Sequence, residues 1–323
     1  MARARCIQKT INERCTVKKV FYALMLSLLL LPSLVLGADT LPKALDYIVS
    51  MQEPNGAWSR LKDEFPAETE PTSWAVKVLA MNGLEKERVE KGTAFILKDQ
   101  KPGGDWNNNT AHTAFALLAL SQVKKGQAPC MNAVDYLRKV QDAAGGFKRI
   151  GTEGPPLTIY TSVVLCALAD LRYPKEDATV KKALEWLTGC QNPDGGYGMP
   201  KGSPSMAAST GWAIRALLAY ETDPASEPVK KAVEWLLKVQ KPSGGFSMVP
   251  PAPEDPEVTA YAIMALAKFP DKKDVVVKAA DYLGKVQLPD GAYISDSPQQ
   301  FDKKAKKNTQ TTCFVAWALS EAK

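Results

Sequence analysis

The stretch "CQNPDGGYGMP", residues 190–200, sets a glutamine ahead of Pro193, two glycines and Tyr197, and taken alone it is a turn. The chain writes it six times: "MQEPNGAW" at Gln52, "DQKPGGDW" at Gln100, "VQDAAGGF" at Gln141, "CQNPDGGY" at Gln191, "VQKPSGGF" at Gln240 and "VQLPDGAY" at Gln287. In every copy a glycine follows the glutamine by four residues and an aromatic by six: Trp58, Trp106, Phe147, Tyr197, Phe246 and Tyr293. A fixed pattern repeated in phase outranks any local reading, so this is a repeat protein.

A second element recurs in step with the first. It is a threonine, a small residue and an alanine-rich apolar run: "TSWAVKVLA" from Thr72, "TAFALLALS" from Thr113, "TSVVLCALA" from Thr161, "TGWAIRALL" from Thr210, "TAYAIMALA" from Thr259 and "TCFVAWALS" from Thr312. The segment ending at each glutamine alternates apolar and charged residues with helical period and predicts an amphipathic outer helix. The threonine segment carries small residues on both flanks and predicts a buried inner helix, with the threonine expected to cap its start. Proline two residues after the glutamine, absent only from the third copy, stops the outer helix, and the glycine accepts backbone angles other residues refuse.

Six such pairs fill the chain from residue 41 onward, at about 41–88, 89–129, 130–178, 179–227, 228–275 and 276–323. An open stack of repeats needs polar capping units, yet the first and last copies are as apolar as the middle ones. The expectation is therefore an all-α single domain over residues 39–323, closed into a ring. The longest linker, residues 294–311, is polar and lysine-rich and reads as a surface loop.

Residues 1–38 read as a targeting segment. Arg3, Arg5, Lys9, Arg14, Lys18 and Lys19 precede the apolar run "FYALMLSLLLLPSLVLG", and Gly37 and Ala38 supply a cleavage point. A cleaved signal peptide is expected, placing the protein in the periplasm or outside the cell; an uncleaved anchor would be its only membrane contact. Removing residues 1–38 takes six basic residues and one acid, leaving 35 basic against 34 acidic of the original 41 and 35. The near-neutral remainder carries no nucleic-acid footprint. Cys130, Cys166, Cys190 and Cys313 remain, without CxxC spacing, and read as small buried residues, with one disulfide left open.

The glutamine turn followed by the threonine helix resembles the repeats of the terpenoid cyclase and protein prenyltransferase superfamily over essentially all of residues 41–323. The resemblance implies an α6/α6 toroid, in which the glutamine and aromatic of each turn tie outer helix to inner helix. It also implies where chemistry would lie. Triterpene and class II diterpene cyclases carry Asp-x-Asp-Asp-Thr-Ala at an inner-helix start, and here "DPEVTA" puts Asp255 at the first position and Glu257 at that of the proton donor, with Val258 replacing the third acid. Such cyclases are expected to use a second helical domain. Protein prenyltransferases hold zinc with Asp-x-Cys before one inner threonine or serine and a histidine before another. His112 takes the histidine's place, and Glu68 and Glu70 stand where the Asp and Cys would be, with no thiolate present. No cofactor is expected beyond zinc at that group.

Two residues beyond the threonines lie Trp74, Phe115, Trp212, Tyr261 and Phe314, and five beyond lie Lys77, Arg215 and Trp317, one helical turn away on the same face. Their variety predicts an aromatic-lined central cavity or a ring centre filled by side chains. Since both constellations are incomplete, the expected function is a non-catalytic toroid binding an isoprenoid, another apolar ligand or a protein partner. The alternatives are a terpene-cyclising or prenyl-transferring enzyme, and an exported polysaccharide lyase or hydrolase with Asp255 and Glu257 as acid and base.

Overall fold

Six alanine-rich segments and six amphipathic ones become helices in strict alternation. The computed structural model describes residues 39–61, 65–295 and 307–323. Among them, the outer helices are α1 (Thr40–Ser50), α3 (Lys86–Asp99), α5 (Gln127–Val140), α7 (Ala178–Thr188), α9 (Glu227–Lys238) and α11 (Lys273–Val286). The inner ones are α2 (Thr69–Met81), α4 (Thr110–Val123), α6 (Thr158–Asp170), α8 (Ala207–Ala219), α10 (Pro256–Leu266) and α12 (Thr309–Glu321). The targeting segment and linker residues 296–306 lie outside the described residues. No helix among the described residues is long and apolar enough to cross a membrane.

Nearly every residue of α2, α4, α6, α8, α10 and α12 is buried, as their small residues demand. Each inner helix packs on the next, and α12 packs back on α2, so the ring closes. The fold is the all-α toroid expected. Repeat pairing differs in one respect: each outer helix packs chiefly on the inner helix before it, and α1 covers α12. The first and last repeats thereby interlock, with Gln287 Nε2 donating to the Thr40 carbonyl at 2.9 Å.

The turn is a three-way junction, which explains why each of its residues recurs. In every copy the glutamine Nε2 donates to the carbonyl of its own glycine and to a carbonyl in the first turn of the next outer helix; for Gln191 these are Gly195 at 2.9 Å and Pro228 at 2.7 Å. The glutamine thus joins outer helix to outer helix, not outer to inner as the resemblance implied. The inner helix is reached by the aromatic, whose amide donates to the threonine hydroxyl, as Tyr197 does to Thr210 Oγ1 at 2.9 Å. The threonine is therefore not the cap: it lies inside the helix, and Asn109, Asp255 and Asn308 cap α4, α10 and α12. The aromatic ring itself is 0 % exposed in all six turns, and burying one is worth roughly 1.5–3 kcal/mol.

Gly195 has φ +92°, and a Cβ there would lie 2.6 Å from the Lys231 carbonyl oxygen of α9. Gly195→Ala is expected to lower stability by about 1–3 kcal/mol from backbone strain alone, read as a lower urea midpoint at unchanged slope. An unchanged midpoint would contradict the junction. The outer faces carry i,i+4 ion pairs, Lys91 with Glu87 and Lys231 with Glu227. Cys130, Cys166, Cys190 and Cys313 are free and buried. Burial pushes the Cys166 thiol up to about 12, so it is chemically quiet.

Candidate functional site

All inner helices run the same way, so their first turns surround one mouth of the ring and their last turns the other. Between the mouths the centre is filled. Phe314 is the hub, with ring centroids of Trp74, Phe115, Trp212, Tyr261 and Trp317 at 5.3, 5.9, 6.5, 5.0 and 6.2 Å. Most of these contacts are edge-on or tilted, the arrangement favoured by ring quadrupoles. Val163, at the remaining equivalent position, is 1 % exposed. The first of the two cavity-lining sets expected from sequence therefore forms an aromatic layer across the ring, and the second, Lys77, Arg215 and Trp317, lies against its lower side.

Above the layer is a pocket of ≈240 Å³ rimmed by Arg60, Glu70, Asn109, His112, Arg149 and Tyr160. The predicted acid group and the predicted metal group meet here in one chain of contacts. Glu257 Oε1 accepts from Gln310 Nε2 at 2.8 Å; Arg60 donates to Gln310 Oε1 and Glu70 Oε2; and Glu70 Oε2 lies 3.2 Å from His112 Nε2. Burial alone would raise Glu70, but the His112 hydrogen bond and the Arg60 and His112 charges outweigh it, so its carboxyl titrates below the ordinary range. The Arg60 guanidinium also sits 5.0 Å above the Trp74 ring.

Glu68 does not join Glu70 and His112. It is half-buried immediately before α2, its backbone engaged with Trp58 and Thr72. Among the described residues no three His, Cys, Asp or Glu side chains gather as a metal-ligand set. Asp255 and Glu257 are also separated in role. Asp255 Oδ1 caps α10 by accepting from Glu257 N at 2.8 Å and Val258 N at 3.1 Å, while Oδ2 accepts from Ser295 Oγ at 2.7 Å. Glu257 is 1 % exposed and accepts from Tyr261 Oη at 2.8 Å and Thr311 Oγ1 at 2.7 Å in addition to Gln310. Burial first and the Asp255 charge second raise its carboxyl above the ordinary range. Its oxygens lie behind Tyr261, whose ring faces the pocket, and Glu257 is not part of the pocket wall.

Below the layer lies a cavity of ≈650 Å³ walled by Leu118, Cys166, Leu218 and Trp317 and by charged residues. Lys77 Nζ bonds Asp170 Oδ2 at 3.0 Å and lies 5.1 Å from the Trp317 ring. Arg215 grips Glu321 through both terminal nitrogens, at 2.6 and 3.0 Å, and lies 5.4 Å from the rings of Trp212 and Trp317. Sequence reading found the cations and missed their partners, although a signal exists: nine residues past the threonine, only the third and sixth repeats carry an acid, Asp170 and Glu321. Glu70, Glu257 and Gln310 likewise share the position two before the threonine. Arg60 and Arg149 also share a repeat position, eight residues past the glutamine, where the other copies carry Asn108, Met199, Met248 and Ser295; sequence reading missed this signal too.

Two family models match the chain: the squalene-hopene cyclase C-terminal domain over residues 110–253 and the prenyltransferase α/α toroid domain over residues 212–322. A squalene–hopene cyclase of Bradyrhizobium diazoefficiens is 33 % identical over 121 residues, 34 % of this chain and 18 % of that protein. A drimenyl diphosphate synthase of Streptantibioticus cattleyicolor is 27 % identical over 166 residues, 47 % of this chain and 30 % of that protein. The chain thus spans less than a third of these relatives. Among solved structures, the type II terpene cyclase MstE from Scytonema, bound to geranylgeranyl dihydroxybenzoate, superposes with a TM-score of 0.73 at 16 % identity, over 91 % of this chain and 99 % of that one. At that identity the likeness is one of fold. It corrects one expectation, since a chain called a type II terpene cyclase is matched along its whole length by a single toroid.

Proposed function

We propose that this α/α toroid, whose sequence resembles squalene-hopene cyclase and prenyltransferase repeats, is an exported ligand-binding ring that takes its ligand at the mouth where the inner helices begin and performs no cyclisation. The observation that carries this reading is the closed aromatic layer, whose rings already hold Arg60 from above and Lys77 and Arg215 from below. Cyclising a polyprene requires room to fold the chain and aromatic faces free to stabilise a carbocation. A 150 Å³ cavity holds benzene, roughly 25 Å³ per carbon, so a twenty-carbon chain needs roughly 500 Å³. The mouth pocket offers ≈240 Å³; the lower cavity, at ≈650 Å³, has the room, but the Trp317 ring in its wall is already held by Lys77 and Arg215. Export is supported by the basic residues and apolar run of the targeting segment.

Glu257 is then a tie between α10 and α12 and not a proton donor. Its raised carboxyl fixes a sign. Above pH 4.5, its ordinary value, the unfolded chain loses this proton while the folded chain retains it, so the group's contribution to stability falls as pH rises. Glu257→Gln, uncharged and of the same shape, is expected to be at least as stable as the parent at pH 7, measured by thermal unfolding.

The cyclase alternative keeps one supporting observation, the burial of that carboxyl behind a pocket-facing tyrosine. Incubating the protein with squalene, geranylgeraniol and geranylgeranyl dihydroxybenzoate, then separating products by gas chromatography and mass spectrometry, is expected to return the starting materials. A cyclised product that disappears in Glu257→Gln would overturn the proposal and establish the alternative.

A further inference from the structure

The mouth pocket has a charge and a size of its own. Its wall carries two guanidinium groups, Arg60 and Arg149, and His112 against one carboxylate, Glu70. Arg60 is committed to Glu70 and Gln310. Arg149 is exposed, within electrostatic reach of Glu70 and Tyr160, and its guanidinium has no hydrogen-bond or ion-pair partner among the described residues. Six parallel helices begin around this mouth, and their aligned dipoles add positive potential there. The floor is apolar and aromatic, formed by Trp74, Phe115, Trp212, Tyr261 and Phe314. Trp74 is 2 % exposed, and its indole N–H is buried with no acceptor among the described residues.

We infer that the mouth binds a small carboxylate with a compact ring or branched apolar body, the acid group on Arg149 and the body against the aromatic floor. The inference rests on the reading of this mouth as the ligand site and names its ligand class. Size supports it, since ≈240 Å³ exceeds the 150 Å³ that holds benzene but falls below the roughly 300–1,000 Å³ of sites for larger ligands. Charge supports it as well. Arg149 is exposed and hydrated, so a neutral apolar body gains nothing from it, whereas a carboxylate gives it a charge-assisted pair of bonds.

Calorimetric titration with benzoate, benzyl alcohol and geranylgeraniol tests this on the whole protein, alongside Arg149→Gln. Benzoate is expected to bind saturably, with benzyl alcohol about tenfold weaker or more, the value of a hydrogen bond to a charged group. Arg149→Gln is expected to weaken benzoate by a similar factor and to leave the melting temperature and the benzyl alcohol affinity unchanged, because the side chain is exposed and touches only the acid. Benzoate and benzyl alcohol binding alike, or indifference of benzoate to Arg149→Gln, would overturn the inference while leaving the mouth a ligand site. Binding of geranylgeraniol alone would also overturn it. Failure of all three probes to bind would sink the ligand-site reading itself.

Discussion

Replacing Glu321 by Ala is expected to destabilise the ring by about 3–5 kcal/mol, the cost of leaving one member of a buried ion pair without its partner. Arg215 and Glu321 have side chains only 10 and 13 % exposed, so the pair is largely desolvated. Arg215 would keep the Met264 carbonyl but lose both bonds to the carboxylate. The same pair predicts a pH dependence. Burial alone would raise the Glu321 carboxyl, but the Arg215 charge and hydrogen bonds hold it at about 2 against an ordinary 4.5. A depressed carboxylate contributes fully above the unfolded value and loses that contribution as pH falls through the folded one. The parent should therefore lose about 3 kcal/mol between pH 4.5 and 2, and Glu321→Ala should show that much less acid sensitivity. Equal pH profiles for parent and variant in urea unfolding would contradict the role given to the pair.

Phe314→Ala has a comparable expected cost, about 3–5 kcal/mol, from lost burial and the cavity left behind. The ring is 2 % exposed and touches five other aromatic rings, so collapse around the gap requires several large side chains to move together. Removing the hub also opens a passage between the mouth pocket and the lower cavity. The variant is expected to gain binding of geranylgeraniol, measured by calorimetry, that the parent lacks. A variant as stable as the parent, or one without this gain, would show that the layer does not close the lumen.

The fold was legible because the turn is written six times, and a junction that must satisfy one glutamine, one glycine and one threonine leaves the same mark in every copy. What each residue joins was not legible. Gln191 could as well reach inward as sideways, and only the carbonyl of Pro228 at 2.7 Å decides the matter. The threonine was misassigned as a cap for a similar reason, since a hydroxyl near a helix start serves equally as an acceptor for the neighbouring turn.

The site was legible in part. Glu70 and His112, two of the three residues expected to gather as a metal group, meet at 3.2 Å because adjacent inner helices are parallel. Glu68, two residues earlier, precedes the helix, and its position is set by the turn and not by the helical register. Asp255 and Glu257, also two apart, look like an acid pair in sequence. The helix start divides them, giving one to the cap and the other to the tie with α12. Arg149 was missed although it stands eight residues past Gln141 as Arg60 stands eight past Gln52; the spacing marks the position, but only the path of the turn brings it to the mouth.

If aromatic rings close the lumen, ligands stop at the mouth. A crystal structure of the protein grown with saturating geranylgeraniol and benzoate tests it most directly. Phe314 is expected in contact with Trp74 and Tyr261 across the axis, with compact density above them beside Arg149. Continuous density of a polyprenyl chain passing between Phe314 and Trp212 into the lower cavity would contradict it.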